Sequence, residues 1–302
     1  MYIEQINNKK FSPLLYLPIP LGLLLLLIMN YYSTKDVEVD KVIHQMIANI
    51  GVNLTFVALV APLALACLFL LFWVKFVHQQ SITSLTTSRT TIDWKRIFAA
   101  FGIWGGITVL LTVVMHYTHP ENFVFNFDPA KFYPFLILAI LLIPLQTSFE
   151  EYLFRGYLMQ GIGVITKSRL LPLIITSTIF GLMHISNPEV GKIGMVIMVY
   201  YIGTGFFLGI ITLMDEGLEL ALGYHAANNL VGALLLTSDW SAFQTHSILK
   251  DVSEPSAGLD IFIPVLVLFP LLLLLFSRLY KWSNWKEKLA GKIGDHIPNN
   301  SQ

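Results

Sequence analysis

Long apolar runs recur eight times along this chain, at 14–31, 50–77, 97–117, 132–165, 170–186, 193–214, 218–237 and 261–280. A stretch of about 20 apolar residues is what a helix needs to cross the hydrocarbon core of a bilayer. Within lipid no water pairs the backbone, so such segments close their hydrogen bonds internally as helices. The expected fold class is therefore all-α, a polytopic membrane helix bundle of about eight transmembrane helices. Composition agrees. Only 13% of the 302 residues are charged and 55% are hydrophobic, whereas soluble domains carry about 25% charge. Nineteen basic residues balance nineteen acidic ones. That balance gives no basic excess to hold nucleic acid, so a nucleic-acid partner is not expected and the lipid bilayer is. The single cysteine, Cys67, forms neither an internal disulfide nor a zinc-ribbon spacing.

The first run follows Lys9 and Lys10 in the manner of a signal peptide, but it exits through Asn30, Tyr31 and Tyr32 with no small-residue cleavage site. It reads as a retained span. The fourth run is too long for one crossing and carries charges, so part of it is expected to reach water. With the amino terminus placed in the cytoplasm, Lys35, Lys41, Lys131, Lys192 and Lys250 fall outside and the other fourteen lysines and arginines fall inside. That asymmetry puts both termini in the cytoplasm, and the short loops suit a bacterial inner membrane. The segments 78–94 and 238–260 read as polar loops. The pairs Gly102–Gly106 and Gly205–Gly209 have the spacing of close helix packing.

Ionisable groups at membrane depth are costly and tend to be functional. Few occur here: Glu150, Glu151, Arg155, His184 and His225, joined by the amides Asn228 and Asn229. Glu151 and Arg155, four apart, share a helix face and can pair. Glu150 points about 100° away and has no evident partner on its own helix. Phe180 shares a face with His184, and His225 with Asn229. Glu150 and His184 lie at equal separations from Lys167, in the turn joining the fourth and fifth runs, which brings them level on adjacent helices. Singly, each has an ordinary role: a snorkelling carboxylate, a packing histidine, an interhelical amide, a core phenylalanine. Together, in the stretch 150–229, they read as a site.

Three motifs carry a resemblance. Glu150-Glu151-Tyr152-Leu153-Phe154-Arg155 resembles the EExxxR motif of the CPBP family, which groups type II CAAX prenyl endopeptidases with bacteriocin-processing and immunity (Abi) proteins. Phe180 to His184 resembles its FxxxH motif, and His225 to Asn229 its HxxxN/D motif. They stand in family order on three expected spans. The resemblance implies an intramembrane endopeptidase acting on a membrane protein or peptide substrate. It divides the chain into N-terminal transmembrane helices (1–131), a CPBP-type catalytic core (132–237), and a last transmembrane helix with a cytoplasmic tail (238–302). It implies that Glu150 and His184 activate water, that His225 and Asn229 stabilise the oxyanion, and that Glu151, Arg155 and Phe180 support them.

The chemistry is sound on its own terms. Peptide hydrolysis needs a base for water and donors for the carbonyl oxygen. No G-x-S-x-G elbow and no H-E-x-x-H helix occurs. A divalent metal such as zinc stays open as a cofactor, because Glu150, His184 and His225 are of a known catalytic ligand type. Two other readings compete: a proton-linked transporter, which also buries Glu, His and Arg, and a non-catalytic immunity or scaffold membrane protein.

Overall fold

The computed structural model describes residues 1–6 and 12–294. Lys9 and Lys10, which enter the charge asymmetry, and His296 lie outside the described residues. Each apolar run becomes helical. We label the helices α1 (Pro13–Thr34), α2 (Val39–Ile50), α3 (Val52–Phe76), α4 (Trp94–Thr118), α5 (Pro129–Thr166), α6 (Leu170–Leu182), α7 (Pro188–Ile193), α8 (Met195–Asp215), α9 (Glu219–Leu235), α10 (Pro264–Leu279) and α11 (Trp285–Ala290). Five of the eight expected spans, α1, α3, α4, α5 and α8, are long and apolar enough to cross a membrane. The other three are shorter. α6 has 13 residues, about 20 Å of helix against a hydrocarbon core of about 30 Å.

Burial is arranged as lipid demands. The segment Pro18–Thr34 of α1 has no buried residue, and Leu21, Leu24, Leu25, Leu26 and Ile28 stand exposed along it. Phe69 and Phe72 on α3 and Ile137 and Leu141 on α5 are likewise exposed, whereas Glu151, Arg155 and Glu219 are fully buried. An apolar surface of this extent is stable only against another apolar phase. The chain is an integral membrane protein.

α5 sits at the centre. At 38 residues it is about 57 Å long, and it is not a regular α-helix throughout. Tyr152–Leu158 forms a π-helical segment, a wider turn that re-aims side chains and frees backbone groups. α3 and α9 pack along its first half, and α6 and α8 pack together beside its second. Gly205 permits the latter approach: a Cβ there collides with the Ser177 carbonyl, and one at Gly209 comes within 2.5 Å of Leu173. The other spacing does not pack. Nothing lies within 4 Å of a Cβ at Gly102 or Gly106; Gly105, between them, faces Val231.

The two ends of the bundle differ. At one end a network of ions fastens the turns. Arg89 bridges Asp215 and Glu219, Arg96 bonds Asp215, Trp282 donates to Asp215, and Lys288 donates to the Met214 carbonyl. Residues 1–6 are tucked into the same end. Tyr2 is buried; its backbone N–H donates to Glu216 at 2.6 Å, and its hydroxyl reaches the carbonyls of Leu85 (2.7 Å) and Arg155 (3.1 Å). Both described ends of the chain thus lie together. At the opposite end the expectation of plain loops fails. β1 (Phe123–Phe125), β2 (Leu236–Ser238) and β3 (Leu249–Asp251) form a small sheet in the order β1-β3-β2, with Phe123 opposite Asp251 antiparallel and Leu236 opposite Leu249 parallel. The segment 238–260 folds back over the bundle because these short strands hold it.

Candidate active site

The polar residues at membrane depth converge. Glu151 is the knot. Its Oε1 accepts from the Arg155 guanidinium at 3.1 Å, one helical turn on, and from His225 Nδ1 at 2.7 Å, on α9. Arg155 also donates to the Gly205 carbonyl at 3.0 Å and stacks 4.2 Å from the Phe180 ring centroid. Phe180 in turn packs against His184 (5.0 Å) and His225 (5.8 Å). Four helices, α5, α6, α8 and α9, are fixed by this cluster.

Glu150 faces away from the knot, as the 100° step requires. It does have a partner on its own helix, contrary to the sequence expectation. Gln146, four residues earlier, donates to its Oε1 at 2.6 Å. Its Oε2 lies 3.6 Å from His225 Nε2 and makes no hydrogen bond. Gln146 ends a relay of amides. Trp104 Nε1 donates to Asn228 (3.1 Å), Asn228 to Asn229 (3.1 Å), Asn229 to Gln146 (3.2 Å), and Gln146 to Glu150. Asn228 orients Asn229 through this bond. Each amide nitrogen carries two protons, so Asn229 keeps one N–H beyond the relay.

His184 differs in its support. The sequence puts it inside the fifth span, but α6 ends at Leu182 and His184 sits in the following turn. Its Nδ1 lies 2.9 Å from the Phe180 carbonyl, which can only accept, so Nδ1 carries the proton. In the neutral ring, Nε2 is left with its lone pair. The ring stacks on Tyr201 at 4.5 Å and 19°.

Glu150, Phe180, His184, His225, Asn228 and Asn229 line one cavity of about 620 Å³, together with Gln146, Tyr201, Glu189 and Trp240. Every candidate on the three motifs except the buried pair Glu151 and Arg155 borders it. Among the described residues, no three His, Cys, Asp or Glu side chains gather closely enough to hold a metal ion. Glu150, His184 and His225 share the cavity without forming such a set. Sequence reasoning missed Gln146 and Glu189. Gln146 was findable by its spacing of four from Glu150. Glu189 lies in the short helix α7, and its partner Ala242 reaches it only through the folding-back of the segment 238–260, which no local pattern announces.

Residues 129–231 match the family described as type II CAAX prenyl endopeptidase, Rce1-like. The chain is also similar to an uncharacterized protein, YyaK, of Bacillus subtilis (strain 168), 27% identical over 216 residues, which cover 71% of each chain. No solved structure matches.

Proposed function

We propose, from the match of residues 129–231 to the Rce1-like family of type II CAAX prenyl endopeptidases, that this membrane protein hydrolyses a peptide bond of a membrane-associated protein or peptide. The observation that carries the reading is the unpaired Oε2 of Glu150, held at the cavity wall by Gln146 and facing the same space as His184. Glu150 takes a proton from water, and the lone pair on His184 Nε2 accepts the other O–H and orients the attack. The new carbon–oxygen bond pushes charge onto the peptide oxygen. The spare N–H of Asn229 receives that charge, and His225 adds a donor from Nε2 when its ring is an imidazolium, because its Nδ1 proton is engaged by Glu151. Glu150 then returns its proton to the departing amine as the carbon–nitrogen bond breaks. The buried pair Glu151–Arg155 holds these groups in place.

A comparison of membrane and secreted peptides between cells carrying the wild type and Glu150→Gln tests the proposal. Loss of a general base costs about 10²–10⁴ in rate, so cleavages present with the wild type vanish with the variant while folded protein stays in the membrane. Identical peptide sets refute it and favour a scaffold or transport role. Under the water-activated reading a chelator leaves the rate unchanged; chelator loss restored by zinc identifies a metal enzyme instead. We further propose that both termini face the cytoplasm, which a carboxy-terminal reporter active only there will register.

A further inference from the structure

The wall of the cavity restricts the charge of what enters. Three carboxylates line it, Glu150, Glu189 and Asp251, and among the described residues no lysine or arginine does. The guanidinium of the site, on Arg155, is fully buried and committed to Glu151 and the Gly205 carbonyl, and His225, which does border the cavity, has its Nδ1 engaged by Glu151. Glu189, near the start of α7, is the telling residue. Its Oε1 accepts the Ala242 backbone N–H at 2.8 Å, which anchors the segment over the cavity. Its Oε2 is shielded from solvent and has no hydrogen-bond partner. Trp240 Nε1, a donor on the same wall, is equally buried and unpaired. Burial lifts the Glu189 carboxyl above its ordinary range, as befits a carboxylate lacking a cation. Buried polar groups are stable when partnered. A ligand that completes this wall brings a positive group to Glu189 and a carbonyl to Trp240.

A peptide cut a few residues from its end brings its terminal carboxylate within about 10 Å of the scissile bond, at about 3.3 Å per extended residue. That anion meets three carboxylates here and no lysine or arginine. We propose that the cavity takes an internal segment with a lysine or arginine near the scissile bond, its cationic head on Glu189 and a backbone carbonyl on Trp240, and does not take a free carboxy terminus. This inference rests on the cavity being the place of cleavage.

Binding and cleavage are measured separately. The chain carrying Glu150→Gln, in lipid nanodiscs, is titrated with three short fluorescent apolar peptides: one with a central lysine and amidated end, one with a central glutamate and amidated end, and one neutral with a free carboxylate. A charge-assisted hydrogen bond at a buried carboxylate predicts about 10- to 100-fold tighter binding of the lysine peptide. Adding Glu189→Gln, whose amide oxygen still accepts the Ala242 N–H, abolishes that preference. Equal affinities, or tightest binding of the free carboxylate, overturn the inference. The wild type is then tested for cutting the lysine peptide. A retained lysine preference without cutting upholds the recognition and sinks the protease reading; cutting of all three at equal rates does the reverse.

Discussion

Arg155→Met probes the knot most directly. Methionine retains much of the length and packs against Phe180 but removes the charge. Two acceptors lose a donor, yet neither is orphaned: Glu151 keeps His225 at 2.7 Å, and the Gly205 carbonyl keeps the Ser177 hydroxyl at 3.0 Å. Breaking a buried pair costs about 3–5 kcal/mol, and the surviving partners put this site at the lower end. The lost stacking of the guanidinium on Phe180, about 2 kcal/mol when desolvated, is partly offset by a sulfur–ring contact of about 1 kcal/mol. The sum is a destabilisation of about 3–4 kcal/mol, at least a hundredfold in the folded-to-unfolded ratio. Reversible unfolding in micelles, read by the chain's six tryptophans, measures it. Glu151→Leu with Arg155→Met removes both charges, so the double variant loses less than the two singles added, by about 1–3 kcal/mol. A single variant within about 0.5 kcal/mol of wild type, or zero coupling, refutes the account of Glu151 and Arg155 as a mutually dependent pair.

Asn229→Ala is expected to lower kcat by about 10²–10³ with little change in KM, the signature of a donor used only in the transition state. Asn228→Ala breaks the relay one step away and is expected to lower kcat about tenfold, roughly the loss of one oriented hydrogen bond; an unchanged kcat removes it from the relay's function. Gly205→Ala drives a methyl into the Ser177 carbonyl and is expected to cost about 1–3 kcal/mol, whereas Gly102→Ala, with open space around it, is neutral or slightly stabilising; equal melting of the two contradicts the packing of α6 on α8. Glu189 sets a pH dependence. Its folded-state pKa is raised, so the folded chain holds that proton more tightly than the unfolded chain, and ionisation costs stability above the unfolded value. Glu189→Gln is therefore expected to melt higher than wild type near neutral pH in the absence of ligand. The gap closes as pH falls below about 4, and a gap constant with pH argues against the raised carboxyl.

The legible part of the site follows helical spacing. Glu151 and Arg155 pair at four residues, Phe180 presents its carbonyl to His184 at four, and Glu150 and His184, placed level by their equal separation from Lys167, border one cavity. The approach of His225 to Glu150 is not readable from spacing, because the depth of α9 depends on how it packs. Spacing is silent on where a helix changes its pitch, stops, or is met by a distant segment. The π-helical segment Tyr152–Leu158, which meets Tyr2 and α6, has no local signature in the sequence. α6 ends before His184 although the apolar run continues to Ser186. The strands of three residues are too short for alternation to show, and Glu189 gains its meaning only when the chain between β2 and β3 returns over the cavity. Gln146 stands four residues before Glu150, but a lone amide in an apolar run has the ordinary role of an interhelical hydrogen-bonding residue.

The burial of Tyr2 has a consequence for synthesis. Tyr2 donates to Glu216 across 214 positions of sequence and to the Arg155 carbonyl across 153. Tyr2 thus leaves the ribosome long before Glu216, and its pocket cannot close until six apolar runs have been delivered to the bilayer. Chains fold from the amino end as they emerge, yet here the earliest segment docks among the last. Until then residues 1–6 stay unlatched at the bundle's end, and the wide turn that carries Arg155 lacks the hydroxyl that meets its carbonyl. The ordering of α5 is in this way tied to the completion of translation through α8, so a ribosome stalled earlier leaves a bundle inserted but not yet set.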